Sequence, residues 1–211
     1  MTGSNDQCIK LFSLSEKKFR ANYLGHNNWV KNVRFSPDVW LIVSGSDDNT
    51  VKIWDVNEYC VITIYIDHLQ PVNSLRWSLD VTCIASCSND KKIKIFDIRS
   101  GRIIEHYDAH SAPVTSLSYH TSGKYLVSSS FDSIWDIFNS QFLYTLHGHQ
   151  GPVNSVILHS QEMEIILFVV REGITHLWYE KIMLDILKIK KILKMKDCLY
   201  YSKKELKVKL V

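Results

Sequence analysis

The fold is decided by a repeated stretch whose most complete copy, residues 44–55, reads SGSDDNTVKIWD. A histidine, His26, precedes the first serine of this stretch, and comparable histidines follow at His68, His110 and His149. The first two intervals between these histidines are identical, and the last is slightly shorter. Because a fixed period of about 20–50 residues is the sequence signature of solenoids and propellers, the repeat predicts a modular architecture.

Four positions recur within the copies. In three copies a serine follows the histidine at one fixed distance, and an aspartate follows that serine at a second fixed distance. An aromatic residue follows the aspartate six positions later in two copies and three positions later in the third. The N-terminus continues the pattern with Asp6 and Phe12, so the sequence begins inside a repeat. The three sets are His26, Ser44, Asp48 and Trp54; His68, Ser86, Asp90 and Phe96; and His110, Ser128, Asp132 and Trp135.

The segments between these positions are short, rich in β-branched and aromatic residues, and separated by turn residues. Four such segments per period of about forty residues predict a four-stranded antiparallel propeller blade. We therefore expect an all-β fold, an incomplete β-propeller with about three full blades and a partial blade at each end. Its parts are a partial blade 1–23, repeats 24–66, 67–108 and 109–147, and a degenerate copy 148–178.

The repeat resembles the WD40 family. The resemblance rests on Gly25-His26, on Phe35-Ser36-Pro37-Asp38 and on residues 44–55, and it covers about residues 2–178. It implies a WD40 propeller in which the four recurring residues of a blade form a hydrogen-bonded tetrad, since an indole donates, a hydroxyl donates and accepts, and a neutral imidazole links it to a carboxylate. Phe12 and Phe96 cannot donate, so we expect weaker tetrads there. The resemblance also implies a non-enzymatic scaffold that binds proteins, with no cofactor, metal or catalytic site.

A closer similarity is to the proteome-of-centriole WD-repeat proteins, which stabilise centrioles and basal bodies. It rests on features that the WD40 framework does not demand, among them NWV at 28–30, LIVS at 41–44, HSA at 110–112, LSYHTSGKYL at 117–126 and LYTLHGHQGP at 143–152. The similarity implies a cytoplasmic protein of the cytoskeleton, at the centriole, basal body or cilium. Its expected partners are centriolar, basal-body or microtubule-associated proteins.

The pattern breaks in the last two copies. Three residues are missing between Asp132 and Trp135 relative to the other copies, which predicts the loss of most of an inner strand and a flip of side-chain facing. In the fourth copy the serine and aspartate positions are Leu167 and Arg171, so that blade is degenerate. Too few blades are present to close a ring, and an open ring exposes sheet edges. We expect either a fragment or truncated gene product, or blades supplied from elsewhere.

Residues 179–211 form a Lys-rich tail. Residues 181–211 carry ten lysines and three acidic side chains, whereas residues 1–180 carry fifteen basic and nineteen acidic ones. A basic amphipathic helix that touches an anionic surface is one interpretation. A solvated helix, a disordered segment and translated non-coding sequence are the alternatives. The helical spacing is that of Ile182, Ile186, Ile189, Ile192 and Leu193.

Other classes of function fit less well. His26, Ser44 and Asp48 are the residue types of a hydrolase triad, but three repeated copies favour a structural role. A nucleic-acid or ribonucleoprotein adaptor is supported only by the basic tail. The longest apolar run, Ile165 to Val170, is too short to span a membrane, and the N-terminus lacks the features of a secretory signal, which favours an intracellular protein with reduced cysteines.

Candidate partner-binding residues follow from the WD40 resemblance, which places the binding face beside the first valine of each repeat and before the turn aspartate. Trp29 and Phe131 stand out, because a large aromatic at a loop mouth is a natural anchor for a partner, although either ring is also able to cover a neighbouring blade. The full set is Trp29, Lys31, Asp47, Asn73, Asn89, Thr115, Phe131 and Asn154, with Pro71, Pro113 and Pro152 beside them.

Overall fold

The computed structural model describes residues 1–108, 110–123, 125–132, 134–138, 142–147, 151–161, 164–170, 178–183 and 207–210. These ranges contain β-strands and turns and no helix. The strands form five separate antiparallel sheets, which we number as blades 1 to 5 in chain order. The predicted all-β fold of incomplete propeller blades is thereby confirmed.

The strands follow one another within each blade, with one exception in blade 4. Blade 1 contains β1 (Thr2–Gly3), β2 (Cys8–Ser13) and β3 (Lys18–Leu24). Blade 2 contains β4 (Val30–Phe35), β5 (Leu41–Ser46), β6 (Val51–Asp55) and β7 (Val61–Tyr65). Blade 3 contains β8 (Val72–Trp77), β9 (Cys83–Ser88), β10 (Ile93–Asp97) and β11 (Arg102–Tyr107). Blade 4 contains β12 (Val114–Tyr119), β13 (Leu126–Ser130), β14 (Ile134–Phe138), β15 (Phe142–His147) and β19 (Lys207–Leu210). Blade 5 contains β16 (Ser155–Gln161), β17 (Glu164–Val170) and β18 (Trp178–Met183).

The core lies between successive blades. The first strands β4, β8, β12 and β16 pack side by side, so each blade offers one face to the blade before it and one to the blade after it. Apolar clusters fill these interfaces, with Trp54 and Tyr23 between blades 1 and 2, and Leu75 and Phe96 between blades 2 and 3. Gly45 allows blades 2 and 3 to approach each other closely, because a Cβ atom there would lie 2.7 Å from Val72 Cγ1.

A bulge recurs in the pairing of the third strand of a blade with the fourth. It immediately precedes Trp54, Phe96 and Phe138, and Phe12 has the same bulge in blade 1. These four residues are evenly spaced along the sequence. The backbone of blade 4 therefore keeps the same period as the other blades.

This register corrects two predictions about blade 4. Strand β14 has as many residues as β6 and β10, so the inner strand is not lost. Residue 138 pairs with Leu126 as Trp54 pairs with Ile42, whereas Trp135 pairs with Ser129. The shortening is absorbed in the turns, since only residues 139–141 separate β14 from β15, against 56–60 in blade 2. Turn shortening removes no ladder hydrogen bond, which makes it the less costly solution.

The degenerate copy and the tail form strands where they are described. Leu167 lies in β17, while Arg171 lies outside the described residues. The helical interpretation of the tail is wrong for Ile182, which belongs to β18. In the same tail, Lys207–Leu210 form β19 and pair with β15. The remaining helix positions, Ile186, Ile189, Ile192 and Leu193, lie outside the described residues, as does His149.

Candidate functional site

The first histidine network lies in blade 2 and joins four side chains. The indole Nε1 of Trp54 donates to Ser44 Oγ at 2.7 Å, and Ser44 Oγ lies 2.6 Å from His26 Nε2. His26 Nδ1 lies 2.7 Å from Asp48 Oδ2. Because the indole donates only and a carboxylate accepts only, a neutral imidazole satisfies all three contacts in one way: Ser44 donates to Nε2 and His26 donates from Nδ1. Hydrogen bonds then run in one direction from Trp54 to Asp48.

Asp48 is the end point of this chain. Burial acts to raise the pKa of its carboxyl, but hydrogen bonds from His26, Thr50 and the Asn27 backbone outweigh it and hold the pKa well below its usual range. Thr50 contributes twice, through its hydroxyl at 2.7 Å and its backbone N–H at 3.0 Å. Asp48 therefore fixes both the histidine and the turn that follows β5.

Blades 3 and 4 repeat the histidine, serine and aspartate contacts. In blade 3, His68 lies 2.8 Å from Asp90 and 2.7 Å from Ser86. Phe96 stands where blade 2 has Trp54, and its ring packs on Tyr65 with centroids 4.4 Å apart. In blade 4, His110 lies 3.1 Å from Asp132 and 2.8 Å from Ser128. The strand register does not bring Trp135 to the tetrad position.

Some residues of the site were missed in the sequence, namely Thr50 and a pair of lysines. Lys52 is almost completely buried and donates to the Gly25 carbonyl, while Lys94 donates to the Asp67 carbonyl at 2.5 Å. Both lysines lie two positions before the aromatic residue of the tetrad and bind the carbonyl just before the histidine. Their equivalent positions in the repeat could have identified these two lysines in the sequence.

The triad of side chains is not arranged for attack on a substrate. Ser44 and Ser86 have 0% of their surface exposed, and the indole of Trp54 occupies one lone pair of Ser44. A nucleophile must reach a substrate carbonyl beside oxyanion donors, and a fully buried hydroxyl has no such access. In blades 2 and 3 the geometry is that of a structural network that ties a loop to the middle of a sheet.

Three of the predicted partner-binding residues, Lys31, Asn73 and Thr115, form hydrogen bonds between blades. Lys31 pairs with Asp47 at 2.7 Å and also reaches Asn73 of blade 3 at 3.2 Å. Asn73 donates to Asn89 and to the Val114 carbonyl of blade 4, both at 2.7 Å. In blade 4, Thr115 continues the series by donating to the Val153 carbonyl at 2.6 Å. These hydrogen bonds link neighbouring blades at one end of their first strands.

Trp29 and Phe131 lie at the same end and present their rings to solvent. These residues are 50% and 48% exposed. The turns that carry them are fixed by equivalent backbone hydrogen bonds, from Asp47 N–H to the Trp29 carbonyl and from Phe131 N–H to the Pro113 carbonyl. Asn154 is half-buried nearby on blade 5. The aromatic rings are therefore held on rigid turns.

In the described part of the chain, no group of three or more His, Cys, Asp or Glu side chains is arranged to hold a metal ion. Nor do these residues include a helix long and apolar enough to cross a lipid bilayer. Four cysteines within the described ranges carry free thiols, and burial raises the pKa of Cys87 to about 12.

The blades and their repeated histidine networks are accompanied by a sequence similarity to known proteins. Residues 33–122 match the family model described as "Anaphase-promoting complex subunit 4 WD40 domain". The match covers less than half of the chain and makes it similar to WD40 domains, in agreement with the propeller blades. The chain is also similar to the Lissencephaly-1 homolog of Dictyostelium discoideum, with 50% identity over 36 residues. That match spans 17% of this chain and 9% of the relative.

Proposed function

We propose that this protein is a non-enzymatic scaffold that binds a protein partner through the face carrying Trp29 and Phe131. The observation that carries the proposal is the exposure of these two rings on turns that are otherwise fixed by hydrogen bonds. Exposed aromatic residues on rigid supports lose little conformational entropy on binding and are enriched among the residues that dominate interface energies. Among the surrounding polar residues, Lys31, Asn73 and Thr115 form hydrogen bonds between blades, and these bonds stabilise the shape of the surface.

The finer part of the proposal concerns where the scaffold acts. The similarity of segments 28–30, 117–126 and 143–152 to the proteome-of-centriole WD-repeat proteins supports a role in the assembly or stability of centrioles or basal bodies. The partner is then a centriolar, basal-body or microtubule-associated protein. The WD40 class supports a protein partner in general, since propellers of this class present their faces to other proteins.

The test compares three single variants of the full chain. Trp29→Ala and Phe131→Ala remove the proposed anchors, and Trp40→Ala is a matched control because Trp40 is 64% exposed on the turn at the opposite end of β4. Melting temperature and recruitment of a fluorescent fusion to centrioles or basal bodies are measured for each. We expect Trp29→Ala and Phe131→Ala to lose recruitment at unchanged melting temperature and Trp40→Ala to keep both. Full recruitment of the first two variants, or a fall in their stability, would overturn the proposal.

A further inference from the structure

A groove opens between blades 3 and 4, at the end of the first strands opposite to Trp29 and Phe131. Its volume is about 420 Å³. The turn after β8 forms one side, the turn after β12 forms the other, and β11 closes it toward the outer rim. Leu79 and Gly123 face each other across the two turns, since a Cβ atom on Gly123 would lie 3.8 Å from Leu79 Cδ1. The groove is thus built by two blades and belongs to neither network described above.

The walls of the groove combine apolar and acidic groups. Ile95 and Leu126 lie buried at its base, and Leu79 and Ile104 are 50% and 54% exposed at its rim. Two exposed aliphatic side chains therefore lie at the mouth of one cavity, and ligand grooves are lined mainly by apolar side chains. Tyr107 and Tyr119 add aromatic surface.

Two carboxylates face this apolar surface. Asp80 accepts hydrogen bonds from Ser78 and Thr82, which hold the pKa of its carboxyl below the usual range, so Asp80 is ionised at neutral pH. Glu105 accepts a hydrogen bond from the Tyr107 hydroxyl. Burial is the main cause that raises the pKa of the Cys83 thiol, and the negative charges of Asp80 and Glu105 raise it further. Both carboxylates therefore act electrostatically at the groove, which Cys83 also lines. Among the described residues no lysine, arginine or histidine forms an ion pair with Asp80 or Glu105.

Tyrosines also occupy the equivalent position at the earlier blade interfaces. Tyr23 donates to the Val56 carbonyl of blade 2, and Tyr65 donates to the Asp97 carbonyl of blade 3, so each bridges two blades. Tyr107 has the same position in the repeat, and its hydroxyl donates to Glu105 on its own strand. This hydrogen bond orients a carboxylate at the groove.

We propose that this groove binds a lysine or arginine side chain from an extended segment of a partner protein. The methylene stem of such a side chain packs on Leu79 and Ile104 while its charged end meets Asp80 and Glu105. The two tyrosine rings offer additional stabilisation to a cation. The chemistry that selects the ligand is a long apolar stem with a positive end, which no neutral or acidic side chain provides. The site is separate from the aromatic face and does not rest on its function.

The test uses two labelled pentapeptides and the full chain. One peptide is Gly-Leu-Arg-Leu-Gly, and the other has citrulline in place of arginine, which keeps the shape and removes the charge. Fluorescence anisotropy measures binding to the unchanged chain, to Glu105→Gln, and to Glu58→Gln as a control on an exposed carboxylate of blade 2. We expect the arginine peptide to bind about fivefold more tightly than the citrulline peptide, as one exposed ion pair of up to about 1 kcal/mol provides.

Each further outcome decides the proposal. Glu105→Gln should abolish the preference for arginine, while Glu58→Gln and Trp29→Ala should keep it, which separates this site from the aromatic face. Equal binding of both peptides to the unchanged chain, or an arginine preference that survives Glu105→Gln, would overturn the assignment. Binding only after Lys188, Lys190, Lys191 and Lys194 are changed together to Gln would also overturn it, because the chain's own tail would then be the occupant.

Discussion

Blades 2 and 3 repeat the same four positions at the same spacing, yet they complete their histidine networks differently. In blade 2 the network begins at the Trp54 indole and ends at Asp48, which also binds the Thr50 hydroxyl. In blade 3 a phenylalanine replaces the indole donor and Lys92 follows at the position of Thr50. The ring of Phe96 contributes packing on Tyr65 in place of a hydrogen bond. The comparison shows that the period sets the geometry, while the variable residues set how many polar groups are satisfied.

The largest expected difference between the blades concerns their aspartates. Asp48 accepts hydrogen bonds from His26, from Asn27 and twice from Thr50, whereas Asp90 accepts from His68 and from two backbone N–H groups. Asp48→Ala leaves a buried imidazole N–H and a hydroxyl without their acceptor. We expect it to lower the free energy of unfolding by about 2–3 kcal/mol, and Asp90→Ala to lower it by about 1 kcal/mol less. Urea denaturation of the full chain measures both values.

A matched control for this comparison is Thr50→Val, which removes only the additional hydroxyl of blade 2. In that background Asp48→Ala and Asp90→Ala should become similar in cost. If Asp90→Ala costs as much as Asp48→Ala in the unchanged chain, the additional hydrogen bond does not stabilise blade 2.

A smaller difference is expected for the serines. Ser44→Ala leaves both the Trp54 indole and His26 Nε2 without their described partner, whereas Ser86→Ala leaves only His68 Nε2. Because each unsatisfied buried group adds to the cost, Ser44→Ala should be more destabilising than Ser86→Ala by about 1 kcal/mol. Thermal unfolding followed by circular dichroism gives the difference.

The indole can be tested directly by a double-mutant cycle. Trp54→Phe gives blade 2 the aromatic residue of blade 3, and the cost of Ser44→Ala should then fall to that of Ser86→Ala. The coupling between Trp54 and Ser44 is expected to be about 1 kcal/mol. Additive effects of the two substitutions would contradict the hydrogen bond as a source of stability.

Much of the fold could be predicted from the sequence because the repeat places equivalent residues at the same spacing in several copies. The spacing of His26, Ser44 and Asp48 recurs in three copies, and turn residues bound the strands between them. Periodicity predicts which residues share a place in each blade. It therefore led to the three histidine networks and to the four-stranded sheets.

The features that could not be predicted arise where the chain accommodates the shortened copy or where residues of different blades interact. Trp135 is predicted at the aromatic position of the shortened copy, but the hydrogen-bond pairing of β13 with β14 places residue 138 there. The links from Lys31 to Asn73 and from Thr115 to the Val153 carbonyl join different repeats, so no period within one repeat reveals them. Ile182 follows a helical spacing, but pairing with β17 places it in a strand, because tertiary partners override local periodicity.

The smallest expected effect is a difference between the two blades in acid. Burial tends to raise the pKa of Asp90, but hydrogen bonds from His68 and backbone N–H groups lower it overall, in the same direction as for Asp48. A carboxyl whose folded pKa lies below the unfolded value of 3.8 contributes stability that is fully present above that value and is lost as the pH falls through the folded pKa. The free energy of unfolding should therefore fall below about pH 4. Asp48→Asn should reduce this acid dependence more than Asp90→Asn does, because Asp48 accepts the additional hydrogen bond from Thr50, and Glu58→Gln serves as the surface control. Urea denaturation at pH 7, 4 and 3 measures the slope for each variant, and an equal slope for Asp48→Asn and the unchanged chain would show that the blade 2 carboxylate does not stabilise the folded state through its charge.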